Sequence, residues 1–239
     1  MPAQPTPRDE AYRYSDHAAL AELWPVAPAE QIEVTAAVPF ARSLIVDGAT
    51  AVHSFEILLH ENARAHVNLV NRATRYGRIA IDVTLHEGAH FELGAVQVGG
   101  GDTTLEIVTT IRHAHPNASS RQTVRSVLAG HATGSYLGKV AVSRGADGTD
   151  GQQSVRAMLL DRTATANAKP ELEIYADDVK CAHGCAIGEL DANALFYLNA
   201  RGIPPAEAKR LLLQAFVAEA LGEDQTLIDA AQAALAAVT

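Results

Sequence analysis

The chain has few cysteines, few aromatic side chains and no long apolar run. Two of its 239 residues are cysteines, and 5% are aromatic. No stretch approaches the roughly 18 apolar residues that a bilayer-spanning helix needs, so we expect no membrane partner. The beginning, MPAQPTPRDE, is polar and unlike a secretory leader. These absences predict a soluble, cytoplasmic protein.

A positive net charge is also absent. The 19 basic residues are outnumbered by 28 acidic ones, which gives a net charge of −9. Such a chain lacks the electrostatic attraction to phosphate backbones that sequence-independent nucleic-acid binding requires. We therefore expect no nucleic-acid partner.

The two cysteines, Cys181 and Cys185, are four positions apart. A pair this close cannot cross-link a fold of this size, and in a reducing cytosol such spacing more often indicates metal or redox chemistry. An apolar fraction of 48% is enough for one large core without disulfides.

From about residue 31 to residue 179, short runs of alternating apolar and polar residues follow one another. They are rich in valine, isoleucine and threonine and are separated by glycine, asparagine or aspartate, which is typical of strands and turns. Examples of these runs are Gln31–Val34, Ala65–Val70, Ile79–Leu85, Phe91–Val98, Leu105–Ile111, Ser135–Val142 and Glu171–Tyr175. This pattern predicts a β body.

A weak repeat favours stacked coils within this body. The segment His60–Leu69 resembles His86–Leu93, which sets Ala65 and Ala89 24 positions apart, and LAGHA at 128–132 returns near twice that interval. A period of about 20 to 30 residues favours a parallel β-helix, with a β-sandwich as the alternative. Stacked coils could align some of the histidines into a column and a second metal site, although exposed corner positions explain them more simply. These histidines are His53, His60, His66, His86, His90, His113, His115 and His131.

Helical patterns flank the β body. We expect disorder over residues 1–9, then a short helix over about 8–23 that packs through Tyr12, Leu20 and Leu23. Three further helices should start at Asp191, at Pro204-Pro205 and near Gln225, and should cap one end of the body. The second should bury the face of Ala208, Leu212, Ala215, Phe216 and Glu219. The predicted domains are 1–30, 31–187 and 188–239.

Cys181, His183 and Cys185 alternate along one strand, so all three should project from one face. Thiolates and imidazole suit zinc, copper(I) and iron–sulfur species, and three ligands leave one position for another chain. Asp177 and Asp178, at a predicted corner, should raise the thiol pKa and disfavour nucleophilic catalysis. The alternative is structural, with both cysteines acting as small buried hydrophobes and His183 as a turn residue.

No motif of a self-sufficient enzyme occurs. The sequence has no nucleophile elbow, no phosphate loop and no H-E-x-x-H helix, and the glycines at 99–101 read as a turn. Two functions from other classes stay open: a β-helix carbohydrate-active enzyme, for which aromatic platforms are scarce, and a homodimeric metal-binding protein such as a zinc protein.

The stretch YADDVKCAHGCAIGELDANALFYLNARGI, Tyr175–Ile203, resembles the signature of the SufB/SufD scaffold proteins of the SUF iron–sulfur cluster assembly system. Shorter matches lie at 8–14, 113–116, 119–122, 138–142 and 170–174. His183-Gly184 and a tail without the Glu-His motif of SufB chains make the chain most similar to SufD. In relatives of this kind, alanine usually stands where Cys185 stands here, so Cys185 is either an extra ligand or a neutral change.

The resemblance implies a right-handed parallel β-helix and a non-catalytic scaffold. It implies a SufB-like partner, a SufC-like ATPase bound to the C-terminal helices, and a nascent cluster where the two scaffolds meet. His183 would then bind iron or the cluster, with Cys181 beside it and Cys185 as a possible third ligand. The iron or cluster would be transient and shared, with none tightly bound to the isolated chain.

Two surfaces follow from this reading. The strand over about 171–180 should present an unpaired edge to a partner, or to a second copy in a homodimer when the chain is isolated. The C-terminal helices should expose apolar side chains near Ile203 and Phe216 for the ATPase.

Overall fold

A computed structural model describes residues 3–239. The disorder expected for residues 1–9 falls partly on Met1 and Pro2, which lie outside the described residues, whereas residues 3–9 form coil and a turn. The predicted helix over 8–23 is wrong as a single element. A 3₁₀ turn (Glu10–Tyr12) comes first, and α1 (His17–Leu23) begins where the Asp16 carboxylate accepts hydrogen bonds from two helix N–H groups.

Two six-stranded sheets form the body, which is a β-solenoid of about five turns. The first, here the odd sheet, contains β1 (Glu30–Val34), β3 (Thr50–Leu59), β5 (Tyr76–Leu85), β7 (Thr104–His113), β9 (Thr133–Val142) and β11 (Thr165–Ile174). The second, the even sheet, contains β2 (Phe40–Val46), β4 (Arg64–Asn71), β6 (His90–Gly99), β8 (Ser119–Leu128), β10 (Thr149–Leu159) and β12 (Val179–Gly188). Each strand pairs in parallel with the strand one coil away, which confirms the solenoid and excludes the sandwich.

The repeat is real, and the early coils fall within the predicted range of about 20 to 30 residues, but the offset of 24 is wrong. Ala65 pairs with Phe91, 26 positions along the chain, rather than matching Ala89. The motif at 128–132 lies at a different corner, between β8 and β9, so it does not belong to the series that starts with His60. Later coils are longer: Arg121 pairs with Gln152, 31 positions on. Coil length therefore rises from 25 residues between β1 and β3 to 32 between β9 and β11 and is 30 between β10 and β12, so no single period describes it.

The interior changes character along the solenoid axis. The inward side chains of the early coils are apolar and fully buried, for example Leu69, Ile81 and Leu93. The later coils instead bury a chain of polar groups. Gln122 Oε1 accepts hydrogen bonds from the hydroxyls of Thr109 at 2.7 Å and Tyr136 at 3.0 Å, and the Gln153 amide donates to the Tyr136 hydroxyl at 3.2 Å. The core thus becomes polar toward the end formed by β11 and β12.

The N-terminal segment is attached to the outside of the odd sheet by a buried ion pair. Arg78 and Glu106 lie 2.9 Å apart, with side chains 3% and 1% exposed. The hydroxyls of Ser15 and Tyr76 both donate to Glu106, and the Tyr12 ring lies 4.0 Å from the Arg78 guanidinium carbon. Because they pair with each other and Glu106 also accepts from two hydroxyls, these charges tolerate their burial. Leu20 and Leu23 complete the contact, as predicted.

The C-terminal helices are α2 (Ala192–Ala200), α3 (Pro205–Leu221) and α4 (Gln225–Val238). Their predicted start points are confirmed, and the Asp191 side chain caps α2. Their predicted position at the end of the solenoid is wrong, because α3 and α4 cover the outer face of the even sheet. That face presents a row of valines that must be buried, and it packs against Leu213, Val217, Leu227 and Leu235. The valines are Val70, Val96, Val98 and Val127.

The buried face of α3 also differs from the expected one. Only Ala208 of the predicted set is fully buried, whereas Ala215 and Glu219 are exposed. The residues that pack inward are Ala208, Leu213, Val217, Ala220 and Leu221. Apolar side chains surround much of this helix, so its periodicity alone does not select the face. The division into domains at residues 30 and 187 stays a prediction.

A buried arginine holds α3 on the sheet. Arg125 of β8 has no exposed side-chain surface, and its guanidinium donates to Glu219 of α3 at 3.0 and 2.7 Å. It also donates to the carbonyls of Val124 at 2.8 Å and Ser154 at 2.9 Å. Such two-point pairing fixes orientation as well as distance.

We expect Glu219→Ala to lower the free energy of unfolding by about 2 kcal/mol, because it leaves the buried Arg125 charge without its counter-ion. Urea denaturation followed by circular dichroism would measure the change. Glu207→Ala is the matched control: Glu207 lies on the same helix and pairs only with the exposed Arg210. Its effect should stay below about 0.5 kcal/mol. Equal effects of the two variants would contradict the anchoring role of Arg125.

We also expect His113 to make stability depend on pH. His113 is fully buried, and its burial lowers its pKa to about 4. An unfolded histidine titrates near pH 6.5, so the unfolded chain binds the proton more readily, and stability falls by up to about 3 kcal/mol as the pH drops from about 6.5 to about 4. Urea titrations of the protein and of His113→Gln across this range should give a stability difference that shrinks at acidic pH. A constant difference would contradict the prediction.

Candidate functional site

The predicted site lies on β12, the outermost strand of the even sheet. Cys181, His183 and Cys185 pair in register with Gly151, Gln153 and Val155 of β10. All three partners are buried inside the solenoid, so the three predicted ligands share the inward face of the last coil. Cys181 packs against the core, whereas His183 and Cys185 are exposed because no further coil covers them.

The end of the solenoid that carries this site is open. β11 and β12 are the last strands of their sheets, and within residues 3–239 no strand pairs with their outer edges. The chain bends at Asp177-Asp178 between them, as predicted. The stretch 171–180 therefore contains the end of the free edge of β11, the corner, and the start of the free edge of β12. Unpaired backbone groups of this kind are able to accept a further strand.

Cys181 is half-buried, and this burial raises the pKa of its thiol. The negative charge of Asp150 raises the pKa further, while a hydrogen bond with the Gly151 backbone opposes the rise. The predicted direction is therefore confirmed, but burial and Asp150 replace Asp177 and Asp178 as its causes. At neutral pH the thiol keeps its proton unless a cation displaces it.

A glycine makes room next to this thiol. A Cβ atom at Gly151 would lie 3.2 Å from Val140 Cγ1, 3.4 Å from Cys181 Sγ and 3.7 Å from His113 Nε2. The thiol and the buried imidazole thus approach the same point from two strands. The sequence placed His113 among the histidines of the body and in the family match at 113–116, but gave it no role in the site. His113 is the last residue of β7 and is buried, so it would have been identified as a neighbour of Cys181 if the register of the coils had been known.

The three predicted ligands do not form a closed metal centre. Across the part of the chain that the structure describes, residues 3–239, no group of three or more His, Cys, Asp or Glu side chains is arranged to hold a metal ion. The roles of Cys181, His183 and Cys185 as ligands stay predictions.

The exposed apolar residues of the helices are not the ones expected. Ile203 and Phe216 are half-buried, and Phe216 lies 5.9 Å from the Arg125 guanidinium carbon. The exposed side chains are Phe196 (74%) and Tyr197 (56%) on α2 and Leu211 (37%) on α3. We refer to these three residues as the α2–α3 apolar surface.

The helices that the structure describes between residues 3 and 239 include none that is long and apolar enough to cross a membrane.

Comparison with known proteins assigns the family. The family model described as "SUF system FeS cluster assembly, SufBD core domain" matches residues 43–216. The iron-sulfur cluster assembly protein SufD of Escherichia coli (strain K12) is 31% identical over 180 residues, which cover 74% of this chain and 38% of that protein. Protein ABCI7, chloroplastic, of Arabidopsis thaliana is 34% identical over 180 residues, which cover 73% of this chain and 38% of that protein.

A third relative is similar over a shorter stretch. The iron-sulfur cluster assembly SufBD family protein slr0076 of Synechocystis is 35% identical over 155 residues, which cover 64% of this chain and 34% of that protein. The matched stretches thus make up 34 to 38% of the length of these three relatives. Because the family model covers well over half of the sequence and the β-solenoid matches what the motif of β12 predicts, the chain belongs to the SufBD core family of the SUF iron–sulfur cluster assembly system.

Proposed function

We propose that the protein is a SufD-like, non-catalytic scaffold subunit that works with a SufB-like scaffold and a SufC-like ATPase. One observation carries the proposal: the open end of the solenoid presents His183 and Cys181 next to an unpaired strand edge. The nascent cluster is the cargo of this site, assembled where the two scaffolds meet. The family description, which concerns iron–sulfur cluster assembly, gives no support to the carbohydrate-enzyme alternative.

Strand pairing explains how a partner completes the site. A strand added to the outer edge of β12 (Val179–Gly188) satisfies its free N–H and C=O groups and lies directly beside Cys181 and His183. Side chains on the inward face of the added strand then supply the missing ligands. In isolation, a second copy of the chain satisfies the same edge, which gives a homodimer.

The two main ligands differ in how they bind. His183 is exposed and offers an imidazole nitrogen directly. The raised pKa of Cys181 means that this thiol binds only when iron displaces its proton, which favours transient binding over permanent occupancy. Cys185, one position further along the same face, is an additional ligand of lesser weight.

The α2–α3 apolar surface suits the ATPase. Phe196, Tyr197 and Leu211 are large, exposed and apolar, and Phe196 and Tyr197 are neighbours on α2. Exposed apolar side chains that lie together mark protein interaction sites. Only three residues separate the end of β12 at Gly188 from the start of α2 at Ala192. Movement of a partner bound to α2 is therefore passed to the strand that carries His183.

We expect His183→Ala to abolish cluster formation in the reconstituted complex while leaving complex assembly intact, because only a ligand is lost. Cys181→Ser should be milder, and Cys185→Ala should be close to the unmodified protein. Iron and sulfide content and the visible absorption of the purified complex would measure this. His131→Ala, at an exposed corner away from β12, is the matched control. Normal clusters in the His183→Ala complex would refute the ligand role.

We further expect Phe196→Glu combined with Tyr197→Glu to release the ATPase, since two carboxylates would have to be desolvated at the interface. When the double variant is co-purified with the ATPase and the SufB-like scaffold, the amount of bound ATPase should fall at least tenfold. The amount of bound scaffold should not fall. Val38→Glu replaces an equally exposed apolar residue, 70% exposed, far along the chain, and should change nothing. Undiminished ATPase binding by the double variant would exclude this surface as the docking site.

A further inference from the structure

Three histidines form a column at one corner of the solenoid, outside the site on β12. His60 follows β3, His86 follows β5 and His115 precedes β8. The ring centroids of His60 and His86 lie 5.6 Å apart at an interplanar angle of 88°, and those of His86 and His115 lie 4.7 Å apart at 67°. The column expected from stacked coils therefore exists, and these three residues form it.

The backbone of the corner fixes this spacing. The N–H of His60 donates to Val34 at 2.9 Å, and the N–H of His86 donates to Leu59, also at 2.9 Å. A glutamate follows each of these two histidines, Glu61 after His60 and Glu87 after His86. The next residues, Asn62 and Gly88, have left-handed φ angles of 57° and 65°, so the turn is repeated in the two coils. The solenoid thus sets the backbones of His60 and His86 one strand spacing apart, about 4.8 Å. At the third corner Ala114 donates to Leu85 at 3.0 Å in the place of these histidines, and His115 follows it by one residue.

The chemistry of the column suits a metal ion. Partial burial, together with the neighbouring imidazoles of His115 and His60, lowers the pKa of His86, so its nitrogen lone pair is free at neutral pH. A carboxylate extends the column, since Glu33 Oε2 lies 3.5 Å from His60 Nε2. Imidazoles with one carboxylate form a common ligand set for zinc and similar divalent ions.

The spacing fits as well. Two imidazoles bound to one tetrahedral zinc at about 2.0 Å have ring centroids about 5 Å apart. The two adjacent pairs, at 5.6 and 4.7 Å, lie on either side of this value. The outer histidines, His60 and His115, stand two strand spacings apart, roughly 9.6 Å, so their rings have to rotate toward His86 to share one ion. The rings are not preassembled, as no three-ligand group among residues 3–239 is in place. His115 is exposed and His60 and His86 are partly exposed, so all three can rotate toward a common ion.

We propose that His60, His86 and His115 form a second metal site, which binds a borderline divalent cation of the zinc class through His86 and its two neighbours. The site is separate from the end of the solenoid. In the next two coils, the positions equivalent to His115 are Ala146 and Ala176, so the column stops two coils before β12.

The test is calorimetric titration of zinc chloride into the full chain that carries Cys181→Ser, His183→Ala and Cys185→Ala, so that β12 contributes no ligands. We expect one equivalent of zinc to bind. Adding His86→Asn should weaken the affinity at least tenfold, because it removes the ring shared by both pairs. Adding His60→Asn should weaken it less. His131→Asn, an exposed histidine at another corner, is the matched control and should leave the affinity unchanged.

Two results would overturn the proposal: no stoichiometric zinc binding in the triple variant, or equal affinity losses from His86→Asn and His131→Asn. Far-UV circular dichroism of each variant shows whether the fold is kept, and His60→Asn provides a second variant if His86→Asn does not fold. The outcome is independent of the cluster function, because the residues proposed for that function are already removed.

Discussion

Parallel pairing between coils is the constraint on which the rest of this structure depends. Every strand of the body has its backbone groups satisfied by a strand one coil before or after it in the chain. Such a ladder has no way to close on itself, so the last coil always leaves one edge of each sheet unpaired. The free edges of β11 and β12, and the exposure of His183 beside them, follow directly from the topology.

The position of the helices preserves this opening. α3 and α4 lie along the valine row of the even sheet, and the pair of Arg125 and Glu219 fixes α3 there. Had the helices covered the last coil, the predicted ligands would have been enclosed. The same packing leaves α2 with two exposed aromatic rings close to the end of β12. One arrangement therefore accounts for both an accessible ligand strand and an accessible helix.

The sequence predicted the elements better than their mutual positions. Alternation identified β1, β4, β5, β6, β7, β9, β11 and the Cys-x-His-x-Cys strand, whereas β2, β3, β8 and β10 were not among the runs named. In β8 (Ser119–Leu128) the inward residues Ser120 and Gln122 are polar. They belong to the polar interior, where hydrophobic alternation fails as a signal. The offset of 24 was wrong because Ala89 corresponds to Ala63 and not to Ala65, and later corners that contain more residues prevent a constant period from showing the error. The alignment of the histidines and the packing of α3 both depend on that register. The local sequence pattern therefore could not predict either of them.

The change from an apolar to a polar interior has a consequence for dynamics. In a stack of coils, each unit gains stability only from its immediate neighbours, and the last coil has a single neighbour. Here that neighbour contributes Gln153 and Tyr136 where the early coils contribute leucine and isoleucine. Amide hydrogen exchange should therefore be fastest at β12 and slowest in the central coils. Local opening at this end lets β12, which carries the predicted ligands, adjust its register and side-chain rotamers before a partner strand pairs with it.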